Sequence, residues 1–233
     1  MFTRRILVAS LALVAAVTTA CSSDGGGASS SLPDGGTLLK DAAASTAAIR
    51  SAHFTLTVNG TVPGLSVESA EGDLTREGGG AGAARGSVRM TMMGNLFEGE
   101  FVIVGDSAYI KGPTGGFQKL PASLIAGLYD PAAILDPERG IANVLAKVRD
   151  PKTEATEDVG GVATYRVKGR AAKDVIANLV PGVNSDVDIT FWLRKDGKHQ
   201  PVKASVAVPA DGSPTVDVTL SDVDKPVKIT APA

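Results

Sequence analysis

Cys21 is the one residue of this chain whose neighbours specify a covalent reaction. It follows Met1-Phe2-Thr3-Arg4-Arg5, an apolar run from Ile6 to Val17, and Thr18-Thr19-Ala20. Two arginines, a short apolar segment and a small residue at the cut are the parts of an export signal. A cysteine directly after that small residue supplies a thiolate to accept a diacylglyceryl group, and cleavage frees its amine for N-acylation. The apolar run has about a dozen residues, too few to cross roughly 30 Å of hydrocarbon as a settled helix. Residues 1–20 are therefore expected to be a lipoprotein signal peptide and Cys21 its lipidation site. Residues 21–32 then form a tether rich in Gly and Ser, reaching on the order of 15–20 Å as a coil. One acyl chain binds a membrane marginally, whereas two or three anchor it stably. The rest of the chain is expected outside the cell membrane, on its outer face toward the periplasm or envelope, and partly secreted.

Other reactive residue types are sparse. His53 and His199 are the only histidines, and no Gly-x-Ser-x-Gly places a serine nucleophile beside either. Both read as solvated residues at strand ends. Two distant histidines and scattered carboxylates have no metal-ligand spacing. The run Gly78 to Gly86 lacks the Gly-Lys-Ser/Thr of a phosphate loop and reads as a flexible connection. Asn59-Gly60-Thr61 reads as a turn, and Asp150, Glu154, Glu157 and Asp158 with Lys147, Arg149 and Lys152 as a solvated, charge-mixed segment. With Arg4 and Arg5 removed, 21 basic residues face 25 acidic ones, a net charge of about −4. That balance argues against nucleic-acid binding. No enzyme and no cofactor are expected.

The elements that must position any site alternate between two periods. Asp34 to Arg50 has Leu38, Leu39, Ala42, Ala43, Thr46 and Ile49 on one face at helical spacing. After Ser51 the period is two: Phe54, Leu56 and Val58; Val88, Met90 and Met92; Phe97, Phe101 and Ile103. Shorter strands are expected at Ser107 to Lys111 and Phe117 to Leu120. Helices are expected at Ala122 to Tyr129, Pro137 to Val148 and Ala171 to Val180. Further strands are expected at Val162 to Gly169, Val187 to Lys195, Val202 to Val208, Thr215 to Val223 and Val227 to Thr230. About ten half-polar strands with separate helices indicate one α+β domain over residues 33–233, its antiparallel sheet covered on one face.

Ser51 to Thr75 (SAHFTLTVNGTVPGLSVESAEGDLT) and Leu128 to Val148 (LYDPAAILDPERGIANVLAKV) resemble the mycobacterial lipoprotein family that includes LppX, LprA, LprF and LprG, most nearly its LprG members. The likeness extends over the chain after the signal, from Cys21 to Val227-Lys228-Ile229-Thr230. It implies a curved antiparallel half-barrel sheet wrapped over helices, as in the LolA and LolB carriers, with an apolar cavity between. It implies binding of multi-acyl envelope lipids: triacylated glycolipids such as phosphatidylinositol mannosides, lipomannan and lipoarabinomannan, or triacylglycerides. It also implies transport toward the outer envelope with a major-facilitator-type transporter as partner. The competing expectation is a surface lipoprotein that assists a transporter and has no lipid cargo.

Strand parity then nominates the cavity wall: Val88, Met90, Met92, Phe101, Ile103, Val187, Ile189 and Phe191 from the sheet. The helices would add Ile134, Leu135, Val144, Leu145 and Val148. Parity describes a filled core equally well, so both readings stand at this point.

Overall fold

The computed structural model describes residues 32–77, 82–126 and 131–232. The expected signal peptide, Cys21 and the tether through Ser31 lie outside the described residues, as do 78–81 and 127–130. Asp34 opens the first helix, α1 (Gly35–Ala47), by accepting a 2.8 Å bond from the Thr37 N–H. This satisfies one of the free donors of the first turn. The helix buries Leu38, Leu39, Ala42 and Thr46, the face that the spacing marks out.

Eleven strands follow: β1 (Ser51–Asn59), β2 (Val67–Thr75), β3 (Ala83–Met92), β4 (Asn95–Val104), β5 (Ser107–Lys111), β6 (Gln118–Pro121), β7 (Arg149–Val159), β8 (Val162–Ala171), β9 (Val187–Arg194), β10 (Pro201–Ala207) and β11 (Thr215–Ser221). They make one sheet in the order β6-β5-β4-β3-β2-β1-β11-β10-β9-β8-β7, and every neighbouring pair is antiparallel. The sheet is thus two meanders, β1–β6 and β7–β11, joined where β1 meets β11. The fold class is α+β, a curved half-barrel sheet over helices. A sheet this wide must curl, because each strand rotates roughly 20–25° against its neighbour. Gly72 and Gly86 face each other across β2 and β3, and a Cβ on Gly86 would overlap the Glu71 carbonyl oxygen. Only glycine allows the backbones this approach.

The helices distribute unevenly over the concave face. Between β6 and β7 come α2 (Ala122–Ala126), a 3₁₀ turn (Pro131–Leu135) and α3 (Ile141–Lys147); α4 (Lys173–Ile176) joins β8 to β9. α1 packs on α3, β7 and β8, and α3 packs on α4. The 3₁₀ turn lies on β2 and β3, while α2 touches only β5 and β6 among its main neighbours. Leu32–Ala233 forms one compact unit with its own hydrophobic core, the mark of a domain able to fold alone.

Several sequence expectations need correction. β2 and β7 are strands that the alternation did not reveal. β7 has no buried residue and runs along an edge of the sheet, so both its faces are polar. Val227–Thr230 pairs with no strand; Pro226 cannot donate a ladder bond, and Ile229 is buried from an irregular tail. The helix expected over Pro137 to Val148 begins only at Ile141. Ahead of it, Asp136 accepts bonds from the Glu138 and Arg139 N–H groups and shapes a turn. The helix expected over Ala171 to Val180 is the single turn α4, continued by turn bonds from Leu179 and Val180 to the Ile176 carbonyl. Of the run read as a loop, Ala83–Gly86 belongs to β3.

Candidate binding cavity

The concave face of the first meander encloses an apolar cavity of about 290 Å³. Val67 and Ala70 of β2, Val88 and Met90 of β3, Phe97, Phe101 and Ile103 of β4, and Ile110 of β5 form its wall. Met92, Leu120, Leu124 and Pro131 complete it, and none of these side chains carries a charge or a hydrogen-bonding group. Register builds the wall directly: Ala70 stands opposite Val88, Met90 opposite Phe97, and Ile103 opposite Ala84. Ala70 is the small side chain of this wall, and at Gly72, Gly86 and Gly99 neighbouring atoms already stand where a Cβ would go, so those positions add nothing to it. A void walled wholly by such groups takes apolar matter and offers water no partners.

The sequence-nominated residues divide among four environments. Val88, Met90, Met92, Phe101 and Ile103 line the cavity together. Ile134, Val144, Ile189 and Phe191 surround a separate gap of only about 30 Å³ behind the second meander. Leu145 and Val148 border a shallow depression beside α1, while Leu135 and Val187 are buried in the core. The structure therefore does not gather all of them around one space. Val67, Ala70, Phe97, Ile110, Leu120, Leu124 and Pro131 complete the wall without having been nominated. Phe97 shares parity with Phe101 and Ile103, so its signal was present. Val67 and Ala70 were hidden with β2, whose bulge between Val67 and Ser69 shifts the alternation.

The opposite face of the same strands is ionic. Arg89 pairs with Glu98 and Lys111 with Glu100. Asp73 Oδ2 accepts from Arg85 at 2.9 Å, and His53 Nδ1 lies 3.0 Å from Asp73 Oδ1. Partial burial alone would raise the Asp73 carboxyl, but the bonds to His53 and Arg85 outweigh it and hold it below the usual carboxylate range. His53 is thus a partnered residue on a central strand rather than a solvated strand end. His199 lies 2.9 Å from the Arg194 carbonyl oxygen. Among the described residues no group of three or more His, Cys, Asp or Glu side chains could hold a metal ion. Beside the cavity, a mixed depression of about 580 Å³ is lined by Thr61, Ser66, Glu68 and Thr91 and shares Val67 with it.

Residues 34–229 match the family profile described as the LppX_LprAFG lipoprotein. The chain is 34% identical over 197 residues to the lipoarabinomannan carrier protein LprG of Mycobacterium tuberculosis, covering 84% of this chain and 80% of that protein. The protein of the same name from Mycolicibacterium hassiacum is 38% identical over 200 residues, covering 84% of this chain and 83% of that one. Among solved structures, LprF from Mycobacterium bovis superposes with a TM-score of 0.77 at 29% identity, over 87% of this chain and 98% of the other. LppX from Mycobacterium tuberculosis gives 0.63 at 22% identity, over 84% and 97%, a likeness of fold.

Proposed function

The chain belongs to the LppX_LprAFG lipoprotein family, a family of envelope lipoproteins and not of enzymes, and on that premise we propose that it carries acyl lipids in the cavity of its first meander. The observation that carries this reading is the cavity's wall, which is apolar on every side and lies behind an outer face that carries ion pairs. Each buried CH₂ contributes about 0.8 kcal/mol, so a sixteen-carbon chain exposed to water costs roughly 12 kcal/mol. A carrier lowers that barrier by offering a space as apolar as the bilayer. Branched aliphatics and the flexible Met90 and Met92 make no fixed polar demand on a chain of varying length.

That the relatives are lipoarabinomannan carrier proteins points to the cargo class. Lipoarabinomannan, lipomannan, phosphatidylinositol mannosides and triacylglycerides all combine acyl chains with a polar or ester head. The acyl part enters the cavity, and the head stays at the adjoining depression, where Ser66, Thr61 and Glu68 suit sugar hydroxyls. At about 290 Å³ the cavity lies at the bottom of the roughly 300–1,000 Å³ typical of drug-sized ligands. A cargo of two or three chains therefore requires it to widen. Among the described residues α2 and the 3₁₀ turn cover that side, so widening acts on short elements. In the full reading, acyl groups on Cys21 and the Gly/Ser tether hold the domain at the outer face of the membrane. A major-facilitator-type transporter is the partner in moving cargo outward.

Native mass spectrometry with lipid extraction on residues 32–233 tests the carrier reading. Wild-type protein is expected to hold envelope lipids, and Val88→Trp to lose them while melting within a few degrees of wild type. Protein that purifies empty and takes up none of the lipids offered would overturn it, leaving a transporter accessory without cargo as the better reading.

A further inference from the structure

The geometry points to a second working surface, which deepens the carrier reading and rests on it: the β3–β4 hairpin tip docks the domain onto a lipid bilayer and joins the bilayer to the cavity. The tip is a two-residue turn, Met93-Gly94, between the paired residues Met92 and Asn95. Met93 has φ 49°, a left-handed conformation that such turns usually give to Gly, Asn or Asp. Its side chain is 99% exposed, so nothing in the folded domain repays an apolar residue at this strained position. Met92 and Leu96 beside it are 46% and 54% exposed.

Charge and continuity identify the occupant. From Met92 to Phe97 the chain carries no ionisable side chain; behind that stretch Arg89 and Glu98 neutralise each other, and Glu68, whose carboxylate accepts from Thr91 Oγ1 at 2.8 Å, marks the depth at which the tip stays in water. Insertion among acyl chains therefore buries no charge, the step that hydrocarbon penalises most. The tip has no cationic cluster, so it does not select anionic headgroups. It also lacks the aromatic and arginine anchors on which protein interfaces depend. Met92 is both exposed at the tip and part of the cavity wall, and Leu120 and Leu124 are likewise exposed where they line the cavity. With the tip seated among lipid tails, an acyl chain can pass along Met92 into the cavity without crossing water.

The test is flotation of residues 32–233 with phosphatidylcholine vesicles, alongside native mass spectrometry of offered acyl lipid. Met93→Asn suits the left-handed turn and should leave the melting temperature equal or higher; Met93→Gly is the second variant for the same reason. Each is expected to lower vesicle partitioning at least tenfold, a further loss following from Leu96→Thr, with lipid occupancy from detergent unchanged. Val88→Trp should show the reverse: partitioning kept, occupancy lost. Wild-type partitioning in both Met93 variants, or no partitioning by the wild-type domain, would overturn the docking role. A wild-type domain that floats through Met93 but binds no lipid would overturn the carrier reading and leave the docking role standing.

Discussion

The two meanders turn similar inward faces toward different things. Behind β7–β11, α3 and α4 supply Ile141, Val144 and Ile176 to meet Ile189, Phe191, Val206 and Val216, α1 packs on α3, and the gap left is about 30 Å³. Behind β2–β6, among the described residues, the short α2 and the 3₁₀ turn arrive, and Val88, Phe101 and Ile110 face a space about tenfold larger. The difference shows how one sheet combines a stable half with a receptive half. The filled side supplies packing density, while the hollow side keeps apolar surface available for something other than protein.

Truncating matched phenylalanines should break or sharpen this contrast most. Phe191→Ala removes a side chain that is 1% exposed in the filled half and is expected to cost about 3–5 kcal/mol, from lost transfer energy plus a new cavity. Phe101→Ala, at the existing cavity, is expected to cost only about 2 kcal/mol, because little beyond the transfer energy is lost. Urea unfolding of both variants checks this, and equal costs would dissolve the distinction. Enlargement gives the converse at smaller size. Ile189→Trp overpacks a side chain that is 2% exposed and should cost about 1–3 kcal/mol, whereas Val88→Trp should cost under about 1 kcal/mol. Thermal melts of the pair decide it.

The smallest expected effect is electrostatic and belongs to the outer face of the hollow half. Asp73 has its folded pKa depressed below the ordinary 3.8, so it contributes stability above that pH and loses it as pH falls through the folded value. An acid titration of stability should therefore be shallower below pH about 3.8 in Asp73→Asn than in wild type. Identical slopes would show that the His53–Asp73–Arg85 cluster does not contribute. Salt bridges this exposed are worth about 0–1 kcal/mol, which is why this effect ranks last.

Particular residues show what could be read in advance. Phe54 and Leu56 alternate cleanly on a central strand, and α1 declares its buried face through Leu38, Leu39 and Ala42, so these elements were legible. β2 was not, because Ala70 and Gly72 are small inward residues and a bulge breaks the period. β7 was not, because an edge strand with two polar faces has no alternation to display. The start of α3 was displaced because Asp136 builds a local turn that spacing does not register.

Alternation by itself determined the fold class and which side chains point inward: Val88, Met90, Phe101 and Ile103 as surely as Ile189 and Phe191. The run before Cys21 likewise set the expectation of an anchor from local composition alone. The tertiary structure alone decided which inward face would stay hollow. Side-chain direction is a property of one strand, whereas a void depends on where helices distant in sequence come to rest. Among the described residues α1, α3 and α4 gather behind the second meander, and the short α2 and 3₁₀ turn behind the first; that placement separates a core from a binding cavity.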